Sequence, residues 1–383
     1  MDAEIGIGKA ARHAYGFDDI AIVPSRRTRD PDDVDISWEI DAYQFDLPLL
    51  AAAMDAVVSP TTAALIGKLG GLSVLNLEGL HTRYEDADSI LEEVASLPQE
   101  KATARMQEIY QAPIREELIA KRIAEIKGAG VIAAASLTPQ RVEEYAKIVL
   151  EAELDILVIQ GTVVSAEHLS SRTEPLNLKA FIATFDLPVI VGGCASHQAA
   201  LHLMRTGAIG VLVGVGPGAA CTSRQVLGIG VPQATAIADA AAARMRHLDE
   251  TGRYVQVIAD GGMRTGGDIA KAIACGADAV MIGSPLARST EAPGRGFHWG
   301  MATFHSALPR GVRVASSPLG TTEEILLGPT SVNDGTMNLF GALRNSMAVC
   351  GYESLKDFQK AEIVIAPSIK TEGKFLQQQQ GLT

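Results

Sequence analysis

From Leu47 the chain repeats one unit eight times, a short apolar run followed by a polar-faced helical stretch, and that rhythm leaves few folds open to it. The runs are LPLLAAA (47–53), LSVLNL (72–77), VIAAASL (131–137), DILVIQ (155–160), PVIVGG (188–193), IGVLVG (209–214), VQVIAD (255–260) and AVMIGS (279–284). Each reads as a continuously apolar strand rather than an alternating one, which predicts burial on both faces, as in a parallel sheet. Stretches such as TPQRVEEYAKIVLEA and TGGDIAKAIACG open on a Ser or Thr cap, and most close in Gly, as crossover helices do. Eight β-α units predict an α/β fold, a (β/α)8 TIM barrel, which carries its chemistry in the loops after the strands.

One barrel domain over 1–383 is expected, with three interruptions. A charged helical insertion occupies about 80–130 after strand 2, a Gly-rich loop runs over 214–233, and a long loop rich in Gly, Pro and Arg follows strand 8 over 285–330. Long loops on a barrel's catalytic face are usually functional. The tail after Pro367 carries no chemical signal. A net charge of −12 without a basic stripe argues against nucleic acid. No apolar run approaches the ~20 residues that span a bilayer, and Met1 is followed by Asp2 and Glu4 rather than a basic leader, so a cytoplasmic protein without membrane contact is expected. Cys194, Cys221, Cys275 and Cys350 have neither zinc-site spacing nor disulfide density and are expected as reduced thiols.

Two stretches carry chemistry. In VGVGPGAACTSRQVLGIGVPQ (213–233), glycines at 214, 216 and 218 let the backbone turn sharply toward a ligand, and Cys221 sits on a strand-end loop beside two hydroxyls and Arg224, surroundings suited to a thiolate. The plainer reading of Cys221 is a small thiol in a tight turn. In VIADGGMRTGGDIAKAIACGADAVMIGSPLA (257–287), two successive strands end in Asp260-Gly261-Gly262 and Gly283-Ser284, where barrels build phosphate sites, with Asp260 free to bond ribose hydroxyls.

Together these stretches resemble the IMP dehydrogenase and GMP reductase family, closest to its CBS-free IMP dehydrogenase-related subgroup. The likeness includes FDDIAIVPSRRT (17–28), LPLLAAAMDAVVSP (47–60), IGKLGGLSVLN (66–76), GPGAACTSR and GALRNSMAVCGY (341–352). The resemblance implies that Cys221 attacks C2 of a purine mononucleotide. It implies that Asp260, Gly262, Gly283 and Ser284 hold ribose and phosphate, that Gly300 and Met301 meet the base, and that Met54 lines the pocket beneath it. Gln160 and Thr162 would face the nicotinamide cofactor. Backbone carbonyls of Gly216, Gly218 and Cys221 would match a monovalent-cation (K+) site, and a homotetramer or octamer is implied.

Both family reactions share a thioimidate on the cysteine. Dehydrogenases hydrolyse it with a flap carrying an Arg-Tyr pair. Here only ATFHSAL separates Met301 from Pro309, and no tyrosine occurs between Tyr254 and Tyr352. Ser223 and Glu291 stand where a reductase protonates departing ammonia. Ala219, Gln160 and Arg310 depart from the family pattern, replacing a serine, an aspartate and an acid. NADPH-dependent reduction of GMP to IMP is therefore expected. NAD-dependent oxidation of IMP to XMP is the alternative, and a non-catalytic purine-nucleotide-binding barrel the further one.

Overall fold

The computed structural model describes residues 2–169, 171, 175–300 and 313–367. Eight parallel strands pair in chain order and close on themselves: β1 Leu49–Ala51, β2 Leu72–Asn76, β3 Ala134–Leu137, β4 Ile156–Gln160, β5 Val189–Cys194, β6 Gly210–Val213, β7 Gln256–Asp260 and β8 Ala279–Ile282. Closure sets Met281 of β8 beside Leu50 of β1. Nearly every strand residue is buried, because side chains alternate between the barrel interior and the surrounding helices and find apolar partners on both sides. The fold is the expected (β/α)8 barrel, and all eight predicted strands are present.

The helices that return the chain between strands are α1 Pro60–Lys68, α2 Glu116–Gly128, α3 Val142–Glu151, α4 Leu178–Thr184, α5 His197–Met204, α6 Gln233–Thr251 and α7 Gly266–Ala274, with α8 Leu339–Val349 packed on α7 after the last strand. Ser59, Ser196 and Thr265 cap α1, α5 and α7 by accepting a backbone N–H, the last two at the anticipated openings, whereas α3 starts after Arg141 without a side-chain cap rather than at the expected Thr138.

The segment over 80–130 is helical as expected, but it divides into parts with different jobs. Glu116–Gly128 is the crossover to β3 and packs against its neighbours α1 and α3. The helices Ala87–Ser96 and Gln99–Ile109 leave the barrel wall and form a second apolar cluster with Leu80, Tyr110 and Trp299. At the opposite end, the hairpin Trp38–Ile40 and Tyr43–Phe45 closes the barrel floor, with Ile40 fully buried and its Cδ1 3.3 Å from where a side chain on Gly210 would begin.

The loop after β8 contains the short pair Phe297–His298 with Val314–Ala315 and the helix Thr322–Leu327. The predicted tail, residues 368–383, lies outside the described residues. No helix among the described residues is long and apolar enough to cross a membrane.

Candidate active site

The loop after β6 places Cys221 in solvent, with its Sγ 3.2 Å from the Oγ of buried Ser223, the first residue of the short helix Ser223–Leu227. The Cys221 N–H donates to the Gly218 carbonyl at 3.0 Å, which tightens the turn beneath the sulfur. Arg224 gathers the two ends of the loop: its Nε donates to the Val215 carbonyl (3.0 Å) and its guanidinium to the Val231 carbonyl (2.7 Å). Gly216 and Gly230 have φ of +71° and +150°, and a side chain on either would begin 2.8 Å from the Arg224 side chain, so glycine answers both constraints. Sequence reasoning assigned Arg224 to the thiol's environment. It lies close enough to interact electrostatically with Cys221, while its hydrogen bonds go to loop carbonyls and fix the loop's shape. Burial pushes the Cys194 and Cys275 thiols up to about 12 and raises that of Cys350, which disfavours their thiolates.

Asp260 ends β7, and the turn through Gly261 and Gly262 (φ +76° and +82°) presses onto the cysteine loop. A side chain on Gly261 would begin 3.2 Å from Pro217 and 3.3 Å from the Gly218 nitrogen. Gln233, which sequence reasoning missed, holds these strand ends together. Its Nε2 donates to the carbonyls of Val213 (3.1 Å), Asp260 (3.0 Å) and Gly261 (3.2 Å). The available signal was a polar residue at the start of an otherwise Ala-rich helix, directly after a functional loop. Gln160, at the end of β4, reaches across the barrel mouth and donates from Nε2 to Asp260 Oδ2 at 3.2 Å. Burial pushes the Asp260 carboxyl up to about 7, with the Gln160 hydrogen bond opposing the rise. Thr162, two residues beyond β4, turns its carbonyl toward Gly193, whose side chain would begin 3.4 Å from it.

The remaining candidates come from the ends of β1 and β8. The Met54 sulfur would lie 2.8 Å from a side chain on Gly283, so that glycine lets the thioether cross the strand end. Ser284 Oγ lies 2.9 Å from His298 Nε2, and His298 Nδ1 lies 2.5 Å from Ser316 Oγ. Burial lowers the His298 pKa, favouring a neutral ring with one donor and one acceptor nitrogen, which orients Ser284 through a relay the sequence did not suggest. Gly300 approaches the cysteine loop, since a side chain there would begin 3.3 Å from the Ala220 carbonyl oxygen. Glu291 is exposed, and its Oε2 accepts from Thr290 Oγ1 (3.0 Å), the Thr322 N–H (3.0 Å) and Thr322 Oγ1 (3.2 Å). None of these bonds reaches Cys221 or Ser223, so the expected relay is not assembled by direct contact. Met301 and Arg310 lie outside the described residues. Among the described residues no group of three or more His, Cys, Asp or Glu side chains is placed to hold a metal.

Residues from five strand ends thus lie on one face of the barrel, with the exposed thiol at the loop after β6. A family model described as the IMP dehydrogenase / GMP reductase domain matches residues 14–374. The chain belongs to the IMP dehydrogenase/GMP reductase family. An uncharacterized oxidoreductase of Mycobacterium leprae is 50% identical over 372 residues, covering 95% of this chain and 99% of that protein. The inosine-5'-monophosphate dehydrogenase of Borreliella burgdorferi is 31% identical, over 92% of this chain and 93% of that one. The crystal structure of an IMP dehydrogenase/GMP reductase-like protein from Corynebacterium glutamicum superposes with a TM-score of 0.89 at 48% identity, covering 95% of this chain and 97% of that chain. Membership of the IMP dehydrogenase/GMP reductase family makes this an oxidoreductase of a family that acts on purine mononucleotides.

Proposed function

We propose that the protein is a GMP reductase that converts GMP to IMP and ammonia through a thioimidate on Cys221. The observation that carries the reading is the pairing of an exposed sulfur with a buried hydroxyl 3.2 Å away, in a chain with no tyrosine between Tyr254 and Tyr352 to serve as a water-activating flap residue. In the first half-reaction the Cys221 thiolate forms a bond to C2 of GMP. The C2–N2 bond then breaks, and one proton delivered to N2 lets ammonia leave. Ser223 is the nearest hydroxyl for that transfer, and Glu291 is the proposed acid behind it. When bound, NADPH supplies the hydride that C2 requires. The C2–Sγ bond then breaks, its electron pair returns to sulfur, and IMP leaves.

Asp260 would bind the ribose hydroxyls, while Gly262, Gly283 and Ser284 would meet the phosphate, with Ser284 oriented by His298. Met54, Gly300 and Met301 would enclose the base. Gln160 and Thr162 fit a polar dinucleotide group at the mouth, since the Gln160 amide keeps its oxygen as an acceptor while Nε2 donates to Asp260 and to the Met281 sulfur. For a potassium ion, Gly216, Gly218 and Cys221 would supply backbone carbonyls. The Gly218 carbonyl already accepts from Cys221 and keeps one lone pair for an ion. A homotetramer or octamer in the cytoplasm completes the reading.

The family's IMP dehydrogenases, 31% identical in one case, make oxidation of IMP the reading to test against it. Reduced-nicotinamide absorbance is followed with GMP plus NADPH and with IMP plus NAD, each with and without potassium and each repeated with Cys221→Ala. Loss of absorbance with GMP, matched by ammonia and abolished in the variant, is the expected result. A rise with IMP and NAD instead makes the protein a dehydrogenase, and silence in both, with nucleotide binding intact, makes it a binding protein.

A further inference from the structure

The helices Ala87–Ser96 and Gln99–Ile109 lie outside the barrel wall, yet the chain that leaves them ends in Tyr110, whose hydroxyl is buried between two proposed site segments. Trp299 Nε1 donates to Tyr110 Oη at 2.9 Å, and Tyr110 Oη donates to Asp55 Oδ2 at 2.5 Å. Asp55 is fully buried, follows Met54, and accepts the Leu80 N–H at 2.9 Å on the same oxygen. Trp299 is 1% exposed and precedes Gly300, which abuts the Ala220 carbonyl one residue before Cys221. A single hydroxyl therefore ties the end of β1 to the stretch that touches the cysteine loop.

A second attachment reinforces the first. Arg313 donates to the backbone carbonyls of Val94, Ala95 (3.3 Å) and Leu97 (2.7 Å), and its guanidinium lies 3.9 Å from the Phe297 ring centroid. Apolar packing alone would hold Trp299 near the insertion without fixing the indole's rotation, whereas the hydrogen bond fixes its direction. We infer that Tyr110 is a positioning residue, through which the two-helix insertion sets Gly300 against the Cys221 loop. The consequence for turnover rests on the proposed GMP reductase reading. The consequence for the thiol does not.

The test compares Tyr110→Phe and Trp299→Phe with Tyr84→Phe in the full chain. Tyr84 Oη donates to the Ile109 carbonyl (2.8 Å) in the same insertion, so its loss reports general loosening. The ligand-free readout is the rate at which iodoacetamide alkylates Cys221, followed by peptide mass. Tyr110→Phe and Trp299→Phe are expected to change the alkylation rate about threefold or more, typically upward, as the already exposed sulfur loses its fixed setting against Ser223 and Gly300. They should also lose about tenfold to 100-fold in kcat with GMP, as misplaced reacting groups do. Tyr84→Phe should match the unchanged protein in both.

Wild-type alkylation rates in folded Tyr110→Phe and Trp299→Phe, or an equal acceleration in Tyr84→Phe, overturn the inference. Should Tyr110→Phe not fold, Trp299→Phe, which keeps an aromatic ring and the Tyr110–Asp55 bond, decides alone. Accelerated alkylation in a protein that turns over neither nucleotide would sink the reductase reading and leave Tyr110's role standing.

Discussion

A carboxyl held near neutrality at the end of β7 gives Asp260 a pH signature of its own. Its folded-state pKa of about 7 lies above the value near 3.9 expected in the unfolded chain, so the folded protein keeps this proton longer. Stability should therefore fall as pH rises from about 4 to 7, and Asp260→Asn should be the more stable protein above pH 7, by about 1–3 kcal/mol, with the gap closing toward pH 4. Thermal melts across that range check it. If ribose hydroxyls donate to the carboxylate, nucleotide binding lowers this pKa and releases protons near neutral pH. Calorimetry in buffers of different ionisation heat would detect the release, and proton-neutral binding would remove Asp260 from the ribose. Cys221→Ala is a separate matter at this scale: it should abolish turnover while leaving the melting temperature nearly unchanged, because the side chain is exposed.

Among the elements, the strands were the most legible part of the chain, since a buried parallel strand declares itself by an unbroken apolar run. Departures occur where a side chain replaces a ladder bond. The strand expected over 131–137 begins only at Ala134, because the Asp155 carboxylate takes the Ala133 N–H at 2.8 Å. The candidate site was half legible. Cys221, Ser223 and the Asp260 turn announced themselves, being polar or Gly-rich at strand ends. Gln233, His298 and Tyr110 did not, since their roles depend on partners far away in sequence. Glycines at close approaches give a test of the loops as units. A side chain on Gly216 meets both a φ of +71° and the Arg224 stem, so Gly216→Ala should cost about 1–3 kcal/mol in denaturant unfolding and displace Cys221. Unchanged stability and activity would show that the loop tolerates another shape.

Taken as a molecule, the barrel is fastened at its foot by Asp278, whose carboxylate is almost wholly buried just before β8. It accepts from Arg244 of α6 (2.8 Å), Lys356 (2.5 Å), Gln359 (2.9 Å), Tyr254 (2.7 Å) and the Val257 N–H (2.7 Å). Burial alone would raise its pKa, but Arg244 and Lys356 outweigh that and hold it below the usual carboxylate range. The stability this supplies is present above about pH 4 and lost as pH falls through the depressed folded value. Asp278→Asn leaves two cations short of a partner and should cost about 3–5 kcal/mol at neutral pH, read by chemical denaturation. A loss under about 1 kcal/mol would mean water takes over the pairing. Fastening by distant parts recurs at the chain's extremes, where Ile20–Ile22 pairs antiparallel with Ile363–Ile365 and sets Ile22 beside Ile363. Ile20–Ile22 thus leaves the ribosome well before the segment it pairs with. A nascent polypeptide would keep that edge bare, available to chaperones and proteases until Ile363–Ile365 has been made.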